Sequence, residues 1–257
     1  MIRFVNVTHH YGVKPVLRQI DMEVPSGELV AVMGPNGMGK STLLGVAAGV
    51  LWPIKGYTEI NGRRRRASVK DELAIRRQTV YLTDHPWIPA NHTGREFLIA
   101  VGRLYEIDID RLMEHCEQLL RLFDLAEQAD VLIRRYSNGQ QKKIAICSAL
   151  ITEAKVMILD EPFTGGLDPS GIFVLKKVLK QLAERSDVTI LMATQLPEVV
   201  DELAHRIAIV RNGELTAYAT PAELKRRVSE NATLQEAMAE LTSPKTEAEI
   251  AFYFEKQ

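Results

Sequence analysis

The chain has 257 residues, 46% hydrophobic and 25% charged, with a formal net charge of −1. Such values belong to an ordinary globular protein long enough for one large domain or a domain with an insertion. Near-neutrality argues against a nucleic-acid binder working through a broad basic surface, and no apolar run approaches the roughly 18 residues that span a bilayer.

At the N-terminus, residues 2–8 alternate as a strand does and lack a signal-peptide pattern. Residues 29–33 are almost continuously apolar, as expected of a strand buried on both faces of a parallel sheet. They run into Gly34, Pro35, Asn36, Gly37, Met38, Gly39, Lys40, Ser41 and Thr42, followed by a helical apolar pattern. This is the G-x-x-x-x-G-K-[ST] spacing between strand and helix that cradles nucleotide phosphates. Its glycines let the backbone curl so that N–H groups face phosphate oxygens, and the helix start adds the positive end of its dipole. Lys40 is expected at the β and γ phosphates, and the Ser41 hydroxyl on Mg2+.

Residues 57–60 read as strand-like, and the run Arg63, Arg64, Arg65, Arg66 after them reads as a solvated turn rather than a binding patch. Another strand candidate covers 79–82. From residue 84 to about 153 helix follows helix, at 93–104, 108–123 and 138–152, with apolar residues at three- and four-residue steps. This predicts a helical subdomain inserted into an α/β core. Cys116 and Cys147 both lie in this stretch; they make no disulfide framework and fit a reducing, cytosolic setting.

A buried-type strand at 156–159 leads into Asp160, Glu161 and Pro162. A carboxylate at the C-terminal end of such a strand lies beside the phosphate loop, on the ligand-binding edge of the sheet. Asp160 is expected to hold Mg2+ through water. Glu161 is expected to polarise the attacking water as general base, a role worth about 10²–10⁴ in rate. Strands at 188–192 and 206–210 complete the expected sheet. Short amphipathic segments at 222–228, 234–241 and 247–254 close the chain.

Tyr136, Ser137, Asn138, Gly139 and Gln140, ahead of a helix and between the two phosphate motifs, are similar to the Leu-Ser-Gly-Gly-Gln signature of ABC ATPases. From about residue 2 to 221 the chain resembles their nucleotide-binding domains. The resemblance implies an α/β P-loop NTPase of ABC type, with a mostly parallel core sheet, an antiparallel β subdomain and an inserted helical subdomain. It implies an ATPase domain over 1–220, divided into a core (1–83 and 154–220) and a helical subdomain (84–153), with a C-terminal helical extension over 221–257. ATP and Mg2+ are the implied cofactors. Ser137, Asn138, Gly139 and Gln140 are then expected to contact, in trans, the γ-phosphate held by a second nucleotide-binding subunit, again by anion binding at a helix start. Asn138 stands where the family has glycine, and asparagine is expected to carry the positive φ in its place. Tyr11, beside His10, matches the aromatic that stacks on adenine, and Asp168 matches the loop that crosses the dimer interface.

Three departures bear on hydrolysis rather than on ATP binding. Asp84 aligns with a family glutamine that touches Mg2+; a carboxylate can also ligate the ion, but it adds negative charge. Gln195 replaces the switch histidine, keeping an N–H donor but unable to become cationic. The segment 162–167 is one residue longer, and its extra glycine is expected to loosen the interface loop that positions Glu161.

Tyr136 before Ser137, and the tail at 233–242, resemble the exporter branch containing drug, antibiotic and polysaccharide ATPases. The function implied is an ATP-binding and ATP-hydrolysing subunit powering a membrane exporter through ATP-driven dimerisation. Its expected partners are a second nucleotide-binding subunit, identical or different, and an integral-membrane permease, with no nucleic acid. Its expected place is cytoplasmic, peripheral on the inner face of the membrane. Two alternatives are a poorly hydrolysing regulatory subunit, suggested by Asp84 and Gln195, and a soluble ABC protein of translation or repair. The latter types carry two such domains or a long coiled coil, and their roles favour a basic surface.

Overall fold

The computed structural model describes residues 1–242 apart from Ser186 and Glu230. The amphipathic segment expected at 247–254 lies outside the described residues. The main sheet has the order β10 (Glu214–Ala219), β9 (Arg206–Arg211), β3 (Leu29–Met33), β8 (Thr189–Ala193), β7 (Val156–Asp160) and β6 (Thr79–Leu82). All neighbours are parallel except β10, which runs antiparallel to β9. β3, β7 and β8 are buried at every position, as strands covered on both faces must be.

Alternate residues of these strands point to opposite layers. On one side Val30, Val32, Ile158 and Leu191 meet Leu43, Leu44 and Val46 of α1 (Lys40–Ala48). On the other, Met157, Leu159, Ile190 and Met192 meet α5 (Asn138–Leu150) and α6 (Pro169–Glu184) through Ile144, Cys147, Leu175 and Leu179. A second sheet, of order β2 (Pro15–Val24), β1 (Ile2–His10), β4 (Lys55–Ile60) and β5 (Arg63–Arg64), is antiparallel throughout. Its Phe4, Leu17 and Ile20 share the α1 layer.

Between β6 and β7 come α3 (Gly94–Leu104), α4 (Ile109–Leu122) and α5. Leu98, Leu112, Cys116, Leu119 and Leu120 point inward from α3 and α4. Cys116 and Cys147 are both free thiols and buried. α7 (Pro197–Leu203), α8 (Pro221–Arg226) and α9 (Leu234–Thr242) close the far edge, where Val200, Leu224 and Leu234 pack on Ala31, Ile207 and Ile209. Among the described residues no helix is long and apolar enough to cross a membrane.

The arginine run departs from the solvated turn expected of it. Arg63 and Arg64 pair with β4, and Arg65 is buried. Its Nε donates to the Ala47 carbonyl at 2.8 Å, and its guanidinium meets Glu72 of α2 (Val69–Arg76) at 3.0 Å. Arg64 and Arg66 lie over the rings of Tyr57 and Trp52. The run is thus partly a clamp joining the end of α1 to α2. A cation so placed needs this pairing to offset its desolvation.

The register places the strand ends that matter side by side. Val32 of β3 faces Ala193 of β8, which in turn faces Asp160 of β7. The loop after β3, Asp160 and the residues after Ala193 therefore share one edge of the sheet.

Candidate functional site

Two glycines shape the loop from β3 to α1. At Gly34 the φ is 144°, and a Cβ there would lie 2.1 Å from the Val210 carbonyl oxygen. At Gly39 the φ is 102°, and a Cβ would lie 2.8 Å from the Val16 carbonyl oxygen. Neither position can take a side chain without displacing backbone. α1 begins straight after Gly39 with no capping side chain and no acidic residue in its first turn. Its leading N–H groups thus have no internal anion. Lys40 is buried, and its Nζ donates to the carbonyls of Gly34 at 2.8 Å and Pro35 at 3.2 Å. Burial lowers its pKa, opposed by the charges of Glu161 and Asp160.

Tyr11 stands over this helix start, with its hydroxyl 3.2 Å from Thr42 Oγ1 and its ring edge-on to His9. The side chain is 66% exposed, so the aromatic surface is open to a base.

Asp160 and Glu161 are both buried. Asp160 accepts a hydrogen bond from Ser41, but burial dominates and raises its pKa. Glu161 adopts a φ of 47°, with its N–H fixed on the Ala193 carbonyl at 2.9 Å. Its Oε1 accepts from Gln195 Nε2 at 3.4 Å. Its pKa too is raised, by burial first. Asp160 Oδ1 and Glu161 Oε2 are buried without a hydrogen-bond partner. A buried carboxylate oxygen is costly unless a donor or cation completes it, so the pair suits a site that receives Mg2+ and a water.

Asp84 follows β6, and its carboxylate lies 3.6 Å from His85 Nε2. It is close enough that its charge contributes to the raised pKa of both Asp160 and Glu161. Among the described residues no three His, Cys, Asp or Glu converge on a metal position. Mg2+ here would rest on Ser41 and Asp160, with Asp84 beside them as the third expected ligand, and on the phosphate oxygens of a nucleotide.

The second cluster lies at the start of α5. Ser137 Oγ accepts from the Gln140 N–H at 3.3 Å, and Gln140 Oε1 accepts from the Ser137 N–H at 2.9 Å, a reciprocal capping box. Asn138 does not take the positive φ expected of it; it begins the helix itself. A helical N1 residue needs no left-handed backbone, so replacing the family glycine costs little here.

The lengthened loop also differs from expectation. Gly165 and Gly166 have φ of 81° and 99°, and the Gly166 carbonyl oxygen lies 2.7 Å from where a Cβ on Gly139 would be. Asp168 caps α6 through the Gly171 N–H at 2.6 Å and pairs with Lys143 Nζ at 3.0 Å. The extra glycine is seated on the signature helix rather than free. A cavity of about 400 Å³ opens here, lined by Ser137, Gly139, Gln140, Lys143, Gly166 and Asp168 and completed by Asp124, Glu127 and Gln128.

The structure thus gathers Tyr11, the 34–42 loop, Asp160, Glu161 and Gln195 at one sheet edge. Ser137, Asn138, Gly139, Gln140 and Asp168 form a separate group. Lys142, which sequence reasoning passed over, links the two: its buried Nζ donates to the Glu161 carbonyl at 3.0 Å and the Asp84 carbonyl at 3.3 Å. The signal that could have found it is two successive lysines on a helix otherwise buried along most of its length.

The ABC transporter family model matches residues 17–164. A daunorubicin resistance ATP-binding protein of Streptomyces coeruleorubidus is 36% identical over 215 residues, covering 84% of this chain and 66% of that protein. An ABC transporter ATP-binding protein of Methanocaldococcus jannaschii is 33% identical over 232 residues, covering 88% of this chain and 79% of its own length. The chain spans just under two thirds of the first relative. Among solved structures, an ATP-binding subunit of an ABC transporter superposes with a TM-score of 0.86 at 28% identity, covering 94% of this chain and 99% of that one. A dimeric bacterial ABC transporter cassette gives 0.76 at 25% identity, covering 86% and 98%.

Proposed function

The chain belongs to the ABC transporter family of ATP-binding proteins, and from that premise we propose that it is the ATP-hydrolysing motor of a membrane exporter. ATP binds with its base on Tyr11 and its phosphates on the 34–42 loop and the open start of α1. Lys40 carries the fixed positive charge, and Ser41, Asp84 and Asp160 would hold Mg2+. When bound, the ion draws charge from the phosphate oxygens. Ser137, Asn138, Gly139 and Gln140 serve the γ-phosphate held by a second nucleotide-binding subunit, with Asp168 at the interface between them.

The observation that carries the hydrolytic reading is Glu161. It sits beside Asp160 with its backbone fixed on β8 and one buried oxygen without a protein partner. That oxygen can take a proton from a water attacking the γ-phosphate. Gln195, already bonded to Glu161 Oε1, orients that carboxylate and offers a neutral donor.

The exporter reading rests on Tyr136 before Ser137 and on the drug-resistance relative. It implies an integral-membrane permease as partner and a peripheral position on the cytoplasmic face. The core (1–83 and 154–220), the helical subdomain (84–153) and the extension from 221 act as the working divisions of the motor. Closure drives the permease because ATP binds the closed pair more tightly than the open one. Asp84, with its added negative charge, and Gln195, which cannot become cationic, favour a second, narrower reading: a slow ATPase whose main role is regulatory. A low turnover number in wild type, with intact ATP-dependent pairing, would select it.

Glu161→Gln tests the first reading. ATP affinity should be retained, hydrolysis should fall by about 10²–10⁴, and sedimentation with ATP and Mg2+ should show a trapped dimer. Wild-type turnover in this variant overturns the general-base role.

A further inference from the structure

Lys142 is a buried ammonium on the second turn of α5, and its bonds leave the helix in two directions. One reaches the carbonyl of Glu161, the residue that follows β7. The other reaches the carbonyl of Asp84, the second residue after β6. The aliphatic part of the same side chain lies beneath Gly165, whose Cβ would stand 3.6 Å from both Cδ and Nζ. Its neighbour Lys143 pairs with Asp168 at the other end of the same loop. The segment from Glu161 to Asp168 is therefore fastened at both ends to the signature helix of its own subunit.

The charge around Lys142 has a definite source. Asp84, Asp160 and Glu161 bring three carboxylates to this edge, and Lys142 and Lys40 both feel the last two. Burial lowers the pKa of Lys142, and Asp84 is the largest of the charges opposing that shift. A neutral side chain at 84 would leave two carboxylates facing two lysines. Asp84 adds a third, on a side chain that is 40% exposed.

Building on the hydrolytic reading of Glu161, we propose that Lys142 is a positioning residue for the reaction. It holds the Glu161 turn and the post-β6 loop against the signature helix through its bonds to the Glu161 and Asp84 carbonyls. A movement of α5 on dimerisation would then pull directly on the backbone of the general base. The link runs within one chain, by two hydrogen bonds.

Hydrogen exchange and single-turnover hydrolysis of Lys142→Met and Lys142→Arg, both in the full chain, test this. In nucleotide-free Lys142→Met, peptides covering 83–88 and 161–167 should exchange at least tenfold faster than in wild type, while peptides from β3 and β8 stay unchanged. Single-turnover hydrolysis should fall at least tenfold, with ATP affinity within threefold. Lys142→Arg, which keeps charge and donors, should stay within threefold on every readout. Lys142→Gln replaces the methionine variant if that one does not fold, and it should lose the same protection, since a shorter neutral amide supplies neither reach nor charge.

Unchanged exchange at 83–88 and 161–167, or turnover within twofold of wild type, overturns the proposal. Loss of protection across β3 and β8 as well reduces Lys142 to a general packing residue and overturns it too. Failure of the hydrolytic reading shows itself separately, as equal turnover in wild type and Glu161→Gln, and the exchange arm still decides whether Lys142 ties the two segments.

Discussion

Two helices of this protein begin at phosphate-type motifs, and they treat their first turns in opposite ways. α1 starts after Gly39 with no capping side chain. α5 starts with Ser137 and Gln140 each bonded to the other's backbone. An open helix start offers unpaired N–H groups and roughly half a positive charge. α1 keeps that offer in the lone subunit, and Lys40, Ser41 and Asp160 are already grouped beside it. α5 has satisfied two of its four leading donors, those of Ser137 and Gln140, so a phosphate arriving there meets a partly closed start and the Ser137 hydroxyl. Opening such a cap costs about 1 kcal/mol, which charge-assisted bonds to a phosphate can offset. Under the proposed function the more open start, α1, is the one that takes nucleotide in the single subunit, and α5 is completed by the partner's.

The largest test of this comparison removes the charge from the complete half-site. Lys40→Ala should raise the ATP dissociation constant by at least about 100-fold, roughly 2.7 kcal/mol, in a titration of the single subunit. Affinity close to wild type would mean that α1 and its loop are not the primary phosphate site. A smaller effect is expected at the base. Tyr11→Ala should weaken ATP and GTP alike by about 1–3 kcal/mol, the usual worth of base–aromatic stacking. If only one nucleotide responds, Tyr11 reads the base by hydrogen bonding rather than by stacking.

The two half-sites were also unequally legible in the sequence. The 34–42 loop and the Asp160–Glu161 pair can be read because strand, turn glycines and helix are contiguous, so local spacing fixes geometry. The parallel strands announce themselves by unbroken apolar runs. β2 does not, because positive φ at Gln19 and the register shifts against β1 break its alternation. β10 is a half-exposed edge strand. Arg65 and Lys142 were hidden for a different reason. Their partners are Ala47, Glu72, Asp84 and Glu161, most of them brought near only by the packing of layers. Asn138 was misjudged because a glycine-to-asparagine change suggests left-handed backbone, whereas the capping box places that residue inside the helix.

The smallest expected effect separates the two roles of Ser137. As a cap, it should be replaceable at modest cost. Ser137→Ala removes the acceptor for the Gln140 N–H and should destabilise the nucleotide-free subunit by about 1 kcal/mol, a drop of about 2–4 °C in melting temperature for a domain of this size. Aspartate is as good a cap as serine, and its charge interacts favourably with the helix start by about 0.3–1 kcal/mol. Ser137→Asp should therefore melt at or above the wild-type temperature. As a ligand for the partner's γ-phosphate, however, aspartate is the wrong residue, since it sets a carboxylate against a triphosphate. In a Glu161→Gln background, Ser137→Asp should bind ATP with unchanged affinity yet sediment as a monomer with ATP and Mg2+. Ser137→Ala should still pair, more weakly. If Ser137→Asp pairs like the parent, the start of α5 does not face a phosphate, and its capping box is an ordinary helix terminus. A stable Ser137→Asp monomer would instead place residue 137 against the partner's nucleotide, with its capping role intact in the single subunit.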